Sequence, residues 1–257
     1  MIKKGMIKKH LVTCSVIFVL VVISGLTIYS TPMPRSVIVN YHPSKFIFTK
    51  TNAVNDFSFA NEALPVNDER VDSKMKRTLM QHDYRKIQSN VLQQKAGKLF
   101  PIIEPILKFY GIPDDFKYIP LVESGLCNGI SPKGAAGLWQ FMPGTARTYG
   151  LKVNSAIDER LNVRKSTIAA CKYIKELYVE FNSWTLAAAA YNNGSIKMEK
   201  AINSQNEDNY FRMRLNHETG VYVYNLIAMK EIINRPAKYG YRTNISNAPA
   251  TQLLAYN

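Results

Sequence analysis

From Asp68 to Asn234 the apolar residues fall at helical spacing, and glycine, proline or asparagine ends most of the runs. No stretch of useful length alternates polar and apolar residues as a half-buried strand would. Val71, Met75, Leu79, Ile87, Val91 and Leu92 predict one helical stripe within 68–97. Leu99, Ile102, Ile103, Ile106 and Leu107 predict a second within 98–110. Gly111 stops that helix, and Pro113-Asp114-Asp115 opens a short third one, with acids at the positive end of its dipole. It carries Tyr118, Leu121 and Val122 into Glu123. Gly125, Gly129, Pro132, Gly134 and Gly137 make the next stretch a loop. Further helices are expected over 163–181, over 184–191 with Ser183 as cap and Asn192-Asn193-Gly194 as stop, and over 218–234 before Pro236. With 46% hydrophobic and 20% charged residues the chain can bury a sizeable core. The reading is a mainly α fold with one domain over 65–240.

The N-terminus has a different composition. Lys3, Lys4, Lys8 and Lys9 precede an uncharged apolar run from Leu11 to Tyr29. At ~1.5 Å per residue such a helix spans roughly 28 Å, close to the hydrocarbon core of a bilayer. Residues 1–10 are expected in the cytoplasm and 11–29 as a membrane anchor. A cleaved signal peptide is the rival, although its apolar region is usually shorter, about 7–15 residues. Cys14 comes too early in the run to be a lipidation site. Residues 30–64, rich in Pro, Asn, Ser and Thr, read as a linker lifting the domain off the membrane. Residues 241–257 read as a polar tail.

The formal net charge of +14 points to an anionic partner or to plain solubility. No zinc-finger, RNA-binding or basic-zipper motif is present, so nucleic acid is not expected. Cys127 and Cys171 are too few for a disulfide framework, and both are expected as buried free thiols. His10, His42, His82 and His217 are scattered without ligand spacing, so neither a metal nor another cofactor is expected.

Glu123 ends the apolar run Ile119-Pro-Leu-Val122. A glutamate there is either a surface residue at a helix end or a carboxyl drawn into apolar surroundings. The first is the commoner fate. In the second, desolvation raises the pKa, so the group keeps a proton near neutral pH and can donate it to a glycosidic oxygen. A hydrolase with two carboxylates would need a partner, for which Asp114, Asp115, Asp158 and Glu159 are available; none shows an obvious pairing. Trp139 and Phe141 fit either a sugar face or the core. Ser124, Gln140, Met142, Tyr191 and Asn192 are each ordinary when taken singly.

Taken together they are not. Glu123-Ser124, Gly134-Ala-Ala-Gly137-Leu-Trp-Gln140-Phe-Met142 and Ala190-Tyr191-Asn192-Asn-Gly194 resemble three ordered motifs of the soluble-lytic-transglycosylase (SLT) domain family. Pro143–Leu151, Asp158-Glu-Arg160 and Glu218-Thr219 resemble that family too. The resemblance implies a lysozyme-like, goose-type helical domain with a glycan cleft. It implies a lyase that cuts the β-1,4 bond between N-acetylmuramic acid and N-acetylglucosamine without water, leaving 1,6-anhydromuramoyl ends. Glu123 would be the catalytic acid and base, with Ser124, Gln140, Met142, Tyr191 and Asn192 in the cleft and the Tyr191 hydroxyl near Glu123. The partner would be peptidoglycan and the place the periplasmic face of the inner membrane. A hydrolytic muramidase and a non-catalytic glycan-binding protein are the alternatives. Cys127 departs from the family, where a polar residue is usual, and so do Asn193, in place of a common alanine, and Gly220, where arginine is usual.

Overall fold

The computed structural model describes residues 57–83 and 90–241. The expected segments 1–10 and 11–29 lie outside these residues, as do most of the expected linker and nearly all of the tail. Among the described residues no helix is long and apolar enough to cross a membrane.

A hairpin opens the described chain, with β1 at Ser58–Phe59 antiparallel to β2 at Glu62–Ala63. Eight α-helices follow: α1 Glu69–Gln81, α2 Val91–Phe109, α3 Ile119–Ser124, α4 Pro143–Thr148, α5 Val163–Phe181, α6 Trp184–Asn193, α7 Ser195–Gln205 and α8 His217–Asn234. Short 3-10 turns lie at Asp114–Tyr118, Glu159–Leu161 and Pro236–Tyr239. The mainly α expectation is met. Asp68 caps α1, Asn162 caps α5 and Ser183 caps α6, each accepting backbone N–H groups that a helix start leaves without partners.

The core is built around α6 and α8. Ala187, Ala188, Ala189 and Ala190 are fully buried, and their small side chains let α6 sit between α5 and α8. Val223, Leu226, Ile227 and Ala228 bury α8 against α6 and α1, while α2 packs on α5.

Three boundaries differ from the reading of the sequence. The second helix begins at Val91, not 98, because Gln93, Ala96 and Phe100 bury one continuous face through Gly97. The alanine-rich helix continues to Asn193. The packed body begins ahead of residue 65. Phe59 is fully buried against Phe116, and the Ala60 amide donates to Asp115. The Glu62 carboxylate accepts from the Trp184 and Thr185 amides and from the Ser183 and Thr185 hydroxyls. The hairpin therefore closes the N-terminus of α6.

Candidate active site

Glu123 lies in the last turn of α3, which Gly125 ends in the left-handed region at φ +56. The carboxyl is half-buried. Desolvation pushes its pKa up to about 7, the charge of Glu218 adds to the rise, and a hydrogen bond from Tyr222 opposes it. The Tyr222 hydroxyl, buried on α8, donates to Oε1 at 2.6 Å. Among the described residues Oε2 accepts no hydrogen bond, so that oxygen is the one placed to carry a proton.

The carboxylates weighed as partners for Glu123 are all held elsewhere. Asp114 pairs with Lys117 at 2.6 Å, and Asp115 pairs with Lys230 at 2.7 Å. Asp158 pairs with Arg160 at 2.6 Å, and Glu159 with Lys165 at 2.6 Å. The carboxylate that Glu123 senses is Glu218, at the start of α8.

The glycine-rich loop is fastened to α3 and to the turn before α5. Ser124 Oγ donates to the carbonyls of Pro120 at 2.9 Å and Leu138 at 3.0 Å, so it ties the acid's own helix to the loop. Gln140 adopts φ +48, and its amide nitrogen donates to the carbonyls of Gly137 at 2.8 Å and Gly129 at 3.4 Å. Arg160 is buried. One of its nitrogens donates to Gly134 and Phe141, and the rest of the guanidinium grips both oxygens of Asp158, which holds that carboxyl below its usual range. Gly137 has φ +77, and a Cβ there would stand 1.9 Å from the Arg160 carbonyl oxygen, so no other residue fits. Met142 is exposed where the loop enters α4.

Trp139 and Phe141 are both core residues. Trp139 is fully buried, and its indole donates to Thr167 Oγ1 at 3.0 Å. The Tyr191 hydroxyl donates to the Trp139 carbonyl at 2.8 Å and lies close enough for the Glu123 charge to raise its pKa further. It thus borders the acid, but the hydrogen bond to the acid comes from Tyr222. Asn192 Nδ2 donates to Glu218 at 3.0 Å, while its Oδ1 accepts from Thr219 at 3.1 Å. This joins the end of α6 to the start of α8 beside Glu123. At Gly220 the carbonyl accepts from Lys74 of α1 at 3.3 Å.

The structure thus brings Glu123, Ser124, Tyr191 and Asn192 together, with Gln140 bracing the loop. Tyr222 and the electrostatic part of Glu218 were not read from the sequence. Their spacing of four on one helix put them on one face, and that was the available signal. Cys127 is exposed rather than buried, while Cys171 is a buried free thiol. Among the described residues no group of three or more His, Cys, Asp or Glu could hold a metal ion.

The family model that matches is the Transglycosylase SLT domain, over residues 100–213. The SLT segment runs from α2 to the loop after α7, so Tyr222 and Glu218 reach Glu123 from beyond it. The chain is 34% identical over 142 residues to membrane-bound lytic murein transglycosylase D of Escherichia coli (strain K12), an alignment covering 53% of this chain and 31% of the relative. It is 34% identical over 95 residues to a putative tributyltin chloride resistance protein of Alteromonas sp. (strain M-1), covering 36% and 46%. The chain thus spans less than half the length of these relatives. Among solved structures, the 70 kDa soluble lytic transglycosylase of Escherichia coli matches 67% of this chain at a TM-score of 0.44 and 21% identity, covering 32% of that structure. Lytic transglycosylase Slt of Pseudomonas aeruginosa, an inactive mutant, matches 66% of this chain at 0.43 and 20%, covering 31% of that structure.

Proposed function

We propose that the protein is a peptidoglycan lytic transglycosylase with Glu123 as its acid and base. The observation that carries this reading is a single half-buried carboxyl, its pKa pushed up to about 7, in the segment that matches the SLT model and, among the described residues, with no second carboxylate bonded to it. At neutral pH a large share of Glu123 is protonated, so Oε2 can deliver a proton to the oxygen between N-acetylmuramic acid and N-acetylglucosamine. The substrate's own acetamido group stabilises the positive centre at C1. The ionised Glu123 then takes the proton of the muramoyl C6 hydroxyl, which attacks C1 and closes a 1,6-anhydro ring. Because the nucleophile is already part of the sugar, no water-activating carboxylate is required. Tyr222 fixes the carboxyl through Oε1. Ser124, Gln140, Tyr191 and Asn192 hold the surrounding backbone and helix ends, and exposed Met142 meets the glycan. Residues 11–29 anchor the enzyme, and the positive chain favours the acidic wall polymer.

Mass spectrometry of muropeptides released from purified sacculi tests this. Anhydromuramoyl ends from the wild type and their loss in Glu123→Gln are expected. Reducing ends would mean a hydrolase, and unchanged glycan from both proteins a binding protein.

A further inference from the structure

Cys127 and Lys95 stand closer than a nitrogen and a sulfur do in ordinary contact. Lys95 Nζ, on α2, lies 2.7 Å from Cys127 Sγ and 3.2 Å from the Gly125 carbonyl oxygen. A length of ~2.7–3.2 Å suits an N–H···O bond. Sulfur is the larger atom, so an N–H···S contact settles farther out. The other contact of Cys127, to the Gly125 carbonyl at 3.6 Å, has that ordinary sulfur spacing. A separation of 2.7 Å matches the span expected of a nitrogen and a sulfur that share one bonded oxygen atom. Cys127 is exposed, so an oxidant can reach it. Cys171 differs: it is fully buried, and burial pushes its thiol up to about 12, which leaves it neither reachable nor nucleophilic.

We propose that Lys95 and Cys127 are a redox modification site that dioxygen converts to a covalent N–O–S bridge. In the balanced step one amine and one thiol react with one dioxygen. The O–O bond breaks, N–O and O–S bonds form, and the second oxygen leaves as water with one amine proton and the thiol proton. The side chains together give up four electrons, which dioxygen accepts. Two equivalents of a dithiol reverse the step, returning the amine and the thiol and releasing the bridging oxygen as water. The bridge joins α2, at a position ahead of the SLT segment, to the turn that directly follows Glu123 and Ser124. Oxidation therefore locks the backbone that carries the acid. Formation of the bridge does not depend on the proposed glycan chemistry.

The test is intact-mass measurement and tryptic mapping of the full chain, purified in aerated buffer, before and after dithiothreitol. The bridged form is expected about 14 Da heavier, with one oxygen gained and two hydrogens lost. Trypsin should fail to cut after Lys95, and the peptides holding Lys95 and Cys127 should travel as one species that dithiothreitol separates. Lys95→Gln and Cys127→Ser should each abolish that species. Closing a loop of this size should raise Tm by on the order of 5–10 °C in the oxidised wild type. Recovery of the two peptides apart with a free thiol after prolonged aeration would overturn the proposal. So would a sulfenic acid at Cys127 of the aerated wild type with Lys95 still cut by trypsin, or a disulfide-linked dimer through Cys127. None of these readouts uses glycan turnover, so a failed bridge and a failed glycan lyase are separate results.

Discussion

The hydroxyl of Tyr222 and the carboxyl of Glu123 meet at 2.6 Å although 99 positions separate them in the chain. The bond acts against the dominant effect at the site, since burial raises the pKa of Glu123 and the tyrosine lowers it. Tyr222 thus sets both the orientation of the acid and the pH at which its proton leaves. Tyr222→Phe should move the upper pH limit of turnover to higher pH, because the ionised form loses its donor. At neutral pH the rate should fall roughly tenfold, the scale of one lost hydrogen bond to a charged group. The check is a pH profile of kcat/KM for anhydromuropeptide release. A profile that keeps its shape and position would leave Tyr222 as packing only.

Glu218 pulls in the same direction as burial. Its charge raises the pKa of Glu123 through space, without a hydrogen bond between them. Glu218→Gln should therefore lower the upper pH limit, opposite in sign to Tyr222→Phe. Glu218 is exposed, so salt screens it, and the difference from wild type should shrink between low ionic strength and ~1 M salt. The same profile taken at two salt concentrations decides it. A shift that does not respond to salt would mean that the substitution acts by disturbing Asn192, which donates to the same carboxylate.

Much of this arrangement was legible in the sequence, for physical reasons that differ from element to element. The run from Val163 to Phe181 and the cap at Ser183 were readable because periodicity and capping are local. Gly97 read as a helix end, but one glycine inside a helix costs only ~1 kcal/mol, which the buried face around Ala96 and Phe100 overrides. Helix α7 went unread because Met198 is its one buried residue, and one residue makes no stripe. The hairpin went unread because strands of two residues carry no period. Tyr222 sits among buried apolar neighbours and looks like core; its function lies in a partner that only the fold supplies.

The raised pKa of Glu123 also makes stability depend on pH. The folded-state value, about 7, lies above the ordinary 4.5. The folded protein therefore holds this proton more tightly than the unfolded chain does. The associated stability is complete below pH ~4.5 and is lost as pH rises through ~7. Glu123→Gln removes the titration, so the variant should gain on the wild type by up to about 3 kcal/mol between pH 4.5 and 8. Urea unfolding at those two pH values measures the gain. An equal stability difference at both would contradict the raised pKa.

The hairpin makes a prediction about where the domain begins. Glu62 satisfies the first amides of α6, whose other end carries Tyr191 and Asn192. Glu62→Ala leaves those donors without their partner and should cost about 1–3 kcal/mol. A chain starting at residue 65 also loses Phe59 from the core and should melt well below one starting at residue 57. Thermal unfolding of the two chains, followed by circular dichroism, is the comparison; equal melting would place the hairpin outside the folding unit.

The glycine loop can be tested by two substitutions of the same kind with opposite expectations. At Gly137 an added Cβ would meet the Arg160 carbonyl at 1.9 Å, and the backbone there is left-handed. Because Arg160 is locked onto Asp158 and the carbonyls of Gly134 and Phe141, that oxygen cannot retreat without breaking the clamp. Gly137→Ala should therefore cost more than about 4 kcal/mol, the range of severe single substitutions. Gly144, in the first turn of α4, has nothing within 4 Å of its Cβ position and no left-handed φ. Gly144→Ala should be neutral or stabilising by up to about 1 kcal/mol, through the restricted unfolded chain. Urea midpoints of the two variants give the comparison. If both alanines behave alike, the clamp is looser than its geometry and Arg160 does not hold the loop over Glu123.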